Sequence, residues 1–279
     1  GGGIAIALLD AGYQVMLLER AQQALDAGCA RIEKNYQDQV AKGRLKDVQK
    51  DARLAALKPV TDIEELAAAD LVIEAVFEDL AVKREIFATL ARVTKPGTIL
   101  ATNTSYIDVN EIATAAGDRV SDVLGMHFFS PANIMKLLEI VRADKASPEA
   151  LTTALAVGKK LGKTPVVAGV CDGFIGNRIY NVYRREAIFL MEEGASPTQV
   201  DHALTNFGMA LGPFAVMDLA GLDIAWAQRK ATAHLRDPDK RYCTLPDRLC
   251  EMGRFGQKTG RGFYLYEPGN RKPVPDPNV

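Results

Sequence analysis

The chain has 279 residues, 48% hydrophobic and 25% charged, which is length and apolar content enough for two domains with cores of their own. Its 34 Lys and Arg nearly balance its 35 Asp and Glu, so composition supplies neither a basic nucleic-acid surface nor a polybasic membrane patch. No apolar run approaches the roughly 20 residues of a membrane span. Cys29, Cys171, Cys243 and Cys250 are scattered without a C-x-x-C pair, against a zinc site or disulfide framework and in keeping with a reducing compartment.

Gly1, Gly2 and Gly3 lead straight into IAIALL, which is apolar on nearly every side and predicts a buried helix ended by Gly12. Tyr13 to Glu19 (YQVMLLE) predicts a buried strand closed by an acid. Helix, tight turn, strand and acid form the second half of a dinucleotide-binding unit, in which glycines admit a pyrophosphate to a helix start. The strand and the first two glycines of that G-x-G-x-x-G fingerprint are not in the sequence. Gly1 therefore reads as the third glycine, and a fragment of this extent is expected to lack a central strand and to bind NAD poorly alone. The alternative for the three glycines is a cloning scar or flexible tail. Glu19 favours NAD over NADP, because a carboxylate accepts hydrogen bonds from ribose hydroxyls and repels an added phosphate. Arg20 beside it softens that preference.

Residues 21–57 are rich in Ala, Lys, Gln and Asp and predict one or two polar helices, broken near Gly43. This is longer than an ordinary βαβ connection. Its basic residues (Arg31, Lys34, Lys42, Arg44, Lys46) suit a phosphorylated ligand or, equally, a solvated helix face. Leu57–Val60 then predicts a short strand, Asp62 a cap for a helix from Ile63 to Ala69, and Leu71–Phe77 (LVIEAVF) a strand broken by Glu74. A helix from Leu80 to Val93 would place Val82, Ile86, Leu90 and Val93 on one face. Thr98–Thr102 predicts a strand running into Asn103, Thr104 and Ser105, polar groups at the carboxyl edge where open parallel sheets bind ligands. Asp108 reads as the cap of a helix through Ala115.

Val123–Val141 (VLGMHFFSPANIMKLLEIV) carries the chemistry. Two apolar, strand-like runs each hold a titratable group, His127 and Glu139, twelve positions apart. Imidazole moves a proton readily near neutral pH, and a carboxylate can fix its tautomer. A core histidine with Glu139 on an exposed face is the other reading. A helix over 148–161 and a strand over 164–168 follow. Periodicity is helical from Asp172 to about Met252, placing a domain boundary near Val170, with Phe174 to Met191 read as a helix apolar on most faces. GRFGQKTGRGFYLY closes in a short aromatic strand, and the proline-rich 267–279 reads as an extended linker. His202 and His234 invite no role.

Seven stretches now occur together and in order: GGGIAIALLDAGYQVMLLE, LVIEAVFEDLAVK, ATNTSYI, HFFSPANIMKLLEIV, DGFIGNRI, GPFAVMDLAGLD and GQKTGRGFYLY. The whole chain resembles the L-3-hydroxyacyl-coenzyme A dehydrogenases. The resemblance implies an α/β Rossmann-type dinucleotide-binding domain, its first strand missing from this chain, over 1–170. An all-α domain over 171–266 and the linker 267–279 would follow. It implies NAD as cofactor and oxidation of a (S)-3-hydroxyacyl-CoA to the 3-ketoacyl-CoA in fatty-acid β-oxidation. Carried over by position, His127 is the general base, Glu139 its partner, and Ser105 and Asn177 hydrogen-bond the substrate oxygen and its surroundings. Gly1, Glu19, Glu78, Lys83, Ser105, Ser130 and Lys258 match cofactor positions, and Lys42 matches one meeting CoA phosphate. Ser130 stands where the family commonly has Asn. Tyr106 replaces a frequent serine, which bears on acyl-chain length. The linker resembles the connector of multifunctional relatives, so expected partners are an acyl-CoA thioester and either a second copy or a second helical domain. No nucleic acid and no membrane span are expected. The expected compartment is the bacterial cytoplasm, the peroxisome or the mitochondrial matrix. Rival readings are a catalytically silent NAD- or CoA-binding module and a sister dehydrogenase acting on a non-CoA hydroxy acid.

Overall fold

Short apolar runs separated by capped helices give a layered α/β unit followed by a helical one, with compact units at Gly1–Arg178 and Ile179–Val279. The computed structural model describes residues 1–270 and 272–279, and for Gln228 and Ala231 the backbone alone; Arg271, in the tail read as a linker, lies outside the described residues.

In the first unit, helix α1 (Gly2–Asp10) is followed by strand β1 (Val15–Leu18), which pairs in parallel with β2 (Leu57–Val60). Between them lie the two expected helices, α2 (Gln22–Ala41) and α3 (Asp47–Ala55), broken at Gly43 (φ +66°). β3 (Leu71–Glu74), β4 (Ile99–Thr102), β5 (Val123–Phe128), β6 (Leu137–Arg142) and β7 (Thr164–Gly169) form a second sheet in that order. Its pairings are parallel except β5–β6, which is antiparallel. β1 and β3 are not hydrogen-bonded to each other, so the strands of the unit fall into two sheets.

Helices cover the sheet where sequence caps start them. Asp79 accepts from the Val82 amide to open α4 (Leu80–Val93), Asp108 opens α5 (Val109–Ala113), and Ser147 with Pro148 opens α6 (Pro148–Lys160). Two expectations need correction here. β3 stops at Glu74 instead of Phe77, because the Glu74 carboxylate turns back onto the Val76 amide at 2.7 Å. The inward face of α4 is Lys83, Phe87 and Leu90, while Val82 is exposed. Leu90 and Ile86 of the expected stripe do face the core, but Val82 gives way to Lys83, which takes an inward position because it has a buried carboxylate partner.

Residues 171–178 pack with the first unit. Phe174 is 1% exposed and packs with Val109, Val141, Ala143 and Ala168. It precedes α7 (Gly176–Glu192) and is not part of it. On α7 only Ala187, Ile188 and Met191 are buried, whereas Ile179, Val182 and Leu190 are exposed, so the helix expected to be apolar on most faces carries Arg178, Arg184, Arg185 and Glu186 and buries a single face.

The second unit continues through α8 (Pro197–Phe207), α9 (Pro213–Ala220), α10 (Leu222–Ala231) and α11 (Leu245–Glu251). Phe214, Met217, Leu249, Cys250 and Phe263 centre its core. Two carboxylates are buried within it. Asp201 accepts from the Phe214 and Ala215 amides and the Tyr264 hydroxyl. Asp218 accepts from the Phe263 and Tyr264 amides and the Tyr266 hydroxyl. The tail is anchored, in contrast to an extended linker. β9 (Val274–Pro275) pairs antiparallel with β8 (Tyr264–Leu265), and Asp276 forms a buried ion pair with Arg254 at 2.7 Å.

Candidate active site

The antiparallel register of β5 and β6 sets His127 and Glu139 directly opposite each other. Side chains opposite on one face of a sheet are neighbours, and here the imidazole Nδ1 lies 2.6 Å from Glu139 Oε2. Both groups are buried, His127 at 4% and Glu139 at 0% exposure. The other carboxylate oxygen accepts the Ile175 and Gly176 amides at 2.9 and 2.7 Å. Burial pushes the Glu139 carboxyl up, but the His127 hydrogen bond and the two amides outweigh it and hold it below the usual range. An ionised carboxylate only accepts, so Nδ1 carries a proton, and in the neutral imidazole Nε2 is the nitrogen left with a lone pair. Phe129 and Phe174 flank the ring, with centroids 4.6 and 5.7 Å away.

Nε2 faces Ser105 Oγ at 3.0 Å. Asn103, Thr104 and Ser105 were all candidates at this edge, and only Ser105 meets the imidazole. Asn103 locks the edge itself, its Oδ1 accepting the Phe128 amide at 2.8 Å. Thr104 accepts from the Ile107 amide and donates to Glu78. Asn177 stands on the first turn of α7 beside Gly176, and among the described residues its amide makes no hydrogen bond. His127, Glu139, Ser105 and the start of α7 thus come together within the first unit.

A cleft of about 410 Å³ is lined by Gly1, Gly2, Gly3, Asn103, Ser130 and Ala132, among others. It fits the diphosphate of a dinucleotide. The amides of Gly2 and Gly3 open α1 with no intrahelical acceptor, which favours an anion there. A Cβ on Gly3 would stand 3.3 Å from both Ala132 Cβ and its amide nitrogen, so any larger residue would push the Ala132 segment back by a few tenths of an ångström. Glu19, exposed just beyond β1, is free to accept from a ribose. Lys83 and Lys258, carried over as cofactor positions, and Lys42, carried over toward CoA phosphate, lie as follows. Lys83 is 1% exposed, its Nζ held by Glu74 at 2.8 and 3.1 Å and by Glu78 Oε2 at 3.4 Å. Lys258, in the second unit, pairs with Asp223 at 2.5 Å. Lys42 is exposed at the end of α2. Sequence reasoning passed over Glu74, which also accepts from Thr102 Oγ1 at 2.8 Å. Its signal was a lone acid in an apolar run, the same signal that singled out Glu139.

Residues 1–171 match the family model described as 3-hydroxyacyl-CoA dehydrogenase, NAD binding domain, and residues 173–266 match its C-terminal domain. The peroxisomal bifunctional enzyme of Danio rerio is 44% identical over 100% of this chain and 40% of its own length. The glyoxysomal fatty acid beta-oxidation multifunctional protein MFP-a of Brassica napus is 42% identical over 100% of the chain and 38% of its own. The chain thus spans about two fifths of the length of these curated relatives. Among solved structures, FadB2 of M. tuberculosis shares 36% identity and a TM-score of 0.86, with 95% of each chain covered. The 3-hydroxybutyryl-CoA dehydrogenase of Escherichia coli K12 shares 36% identity and a TM-score of 0.88 over 98% of this chain and 58% of its own. No helix among the described residues is long and apolar enough to cross a membrane. With both domain models matched in order, and a solved relative of nearly equal extent, the chain belongs to the 3-hydroxyacyl-CoA dehydrogenase family, with NAD as its cofactor.

Proposed function

We propose that this chain carries out the NAD-dependent oxidation of a (S)-3-hydroxyacyl-CoA to the 3-ketoacyl-CoA, as the dehydrogenase portion of a multifunctional β-oxidation enzyme. The observation that carries the reading is a buried imidazole whose Nδ1 is tied to Glu139 and whose Nε2 faces Ser105. NAD, when bound, supplies the hydride acceptor. His127 Nε2 takes the substrate hydroxyl proton, a contribution on the order of 10² to 10⁴ in rate for a well-placed base. Glu139 stabilises the resulting imidazolium without changing its own protonation. The Ser105 hydroxyl and the Asn177 amide hydrogen-bond the substrate oxygen and its surroundings. The glycine turn at the start of α1 and Glu19 receive the cofactor, with Ser130 at the edge of the same cleft. Contacts from Lys258 to the cofactor and from Lys42 to CoA phosphate rest on the family resemblance alone.

The peroxisomal and glyoxysomal relatives support a setting of that kind for this chain. The exposed apolar side chains Ile179, Val182 and Leu190 of α7 suit packing against a second copy or a further helical domain. The test is reduction of acetoacetyl-CoA by NADH in the full-length protein. Wild type should turn over and His127→Ala should lose most activity while still binding NAD. Near-normal turnover in that variant would name the wrong base, and an inactive wild type would favour a silent binding module. Comparable activity on free 3-hydroxy acids would point to a sister dehydrogenase.

A further inference from the structure

We infer that Glu78 is a positioning residue for this reaction: its carboxylate fixes the Thr104–Tyr106 turn and thereby holds the Ser105 hydroxyl opposite His127 Nε2. The inference rests on the reading of His127 as the base. Glu78 Oε1 receives three donors from three consecutive residues, the Thr104 hydroxyl, the Ser105 amide at 2.8 Å and the Tyr106 amide at 3.0 Å. Its second oxygen faces Lys83 Nζ at 3.4 Å. Lys83 is in turn locked to Glu74, and Glu74 to Thr102 at the end of β4. An unbroken polar chain therefore runs from the carboxyl ends of β3 and β4 through Lys83 and Glu78 to the turn that carries Ser105.

The chemistry of each link favours order. Burial pushes the Glu78 carboxyl up, yet the Thr104 hydroxyl, the two amides and the Lys83 charge outweigh it and keep it below the usual range, so all three donors meet an anion. The Glu78 side chain is 39% exposed, so its removal opens no core cavity. What removal does is release the Ser105 and Tyr106 amides and the Thr104 hydroxyl together. Ser105 Oγ then loses the framework that sets its 3.0 Å approach to the imidazole. A displacement of about 1 Å in such a group costs on the order of 10²-fold in rate.

The experiment is steady-state kinetics and direct NAD titration of the full-length protein bearing Glu78→Ala, Glu78→Gln or Ser105→Ala, the first two also combined with Ser105→Ala. Glu78→Ala should lower kcat by roughly 10- to 100-fold at saturating NAD. Whatever the change in NAD Kd, the loss in kcat should persist at saturating NAD, because a displaced Ser105 is not restored by filling the cofactor site. Glu78→Gln keeps a carbonyl oxygen for the three donors and should recover kcat to within about 3-fold of wild type. In the Ser105→Ala background, Glu78→Ala should cost less than about 2-fold more, because the group it positions is gone. A large rise in NAD Kd with kcat restored at saturation would make Glu78 a cofactor contact only and overturn the proposal. Equal losses in the Ala and Gln variants, or full additivity with Ser105→Ala, would overturn it as well. Its failure is distinguishable from failure of the site reading, which shows instead as near-normal turnover in His127→Ala.

Discussion

Glu139 on β6 and Gly176 at the start of α7 are joined by a 2.7 Å hydrogen bond from the Gly176 amide. The same carboxylate holds the imidazole of His127 with its other oxygen, so one buried acid sets both the orientation of the ring and the entry point of α7. Two roles for one group mean that removing its charge and crowding its surroundings should fail in different ways.

Glu139→Gln keeps the shape and reverses the chemistry. Oε1 of Glu139 accepts two amides, so the glutamine carbonyl is drawn to that side and its NH2 turns to His127 Nδ1. Nδ1 must then accept, the proton moves to Nε2, and no lone pair faces the substrate. Turnover should fall by about 10² to 10⁴ with the fold retained. Nitrogen chemical shifts of the imidazole should report the switched tautomer; wild-type kinetics or an unchanged tautomer would refute the assignment.

Gly176→Ala tests the crowding. The added Cβ would stand 2.7 Å from Phe129 Cζ, closer than real contacts allow, and 3.1 Å from its Cε1. Phe129 packs on the imidazole at 4.6 Å and must shift if the methyl is admitted. Overpacking of this kind costs roughly 1–3 kcal/mol. Denaturant unfolding should show that loss along with reduced turnover, whereas a silent substitution would mean that the α7 start yields freely.

The pairing of His127 with Glu139 was legible because each is a lone titratable residue in an apolar strand, and such a residue needs a partner. Helix starts were legible at Asp62 and Asp108, where a capping oxygen precedes the run. The antiparallel turn between β5 and β6 was not, because alternation carries no strand direction. The Glu74–Lys83 pair spans a strand end and a helix, so no local spacing announces it. Apolar periodicity therefore placed Leu90 and Ile86 of α4 correctly but missed the inward Lys83. The docked tail escaped notice for a similar reason. Its β9 pairing and Asp276 depend on residues of the preceding loop, not on its own proline-rich composition.

Asp218 makes stability depend on pH in a definite direction. Burial pushes its carboxyl from an ordinary 3.8 up to about 6, despite hydrogen bonds from the Phe263 and Tyr264 amides and the Tyr266 hydroxyl and the nearby Arg254 charge. Between those values the folded chain keeps a proton that the unfolded chain has released. Stability from this group therefore falls as pH rises through the window, by roughly 3 kcal/mol, and stays lost above it. Asp218→Asn cannot titrate. The stability of wild type minus that of the variant should fall by about 2–3 kcal/mol between pH 4 and pH 7 in denaturant unfolding. A flat difference would show that the carboxyl titrates normally.

The docking of the tail is testable through Arg254. This guanidinium is buried, donating through Nε to the Gly262 carbonyl at 2.8 Å and through Nη1 to Asp276 at 2.7 Å. Asp276→Ala would leave a buried cation short of its counter-charge, and breaking such a pair costs more than the pair contributes. The melting temperature should drop by on the order of 5 °C or more. Glu267→Ala, an exposed substitution in the same tail, should change it by less than about 1 °C. If 267–279 were a free linker, both substitutions would be silent alike. A drop confined to Asp276→Ala identifies the tail as part of the folded unit, held by one ion pair and the two-residue strand beside it.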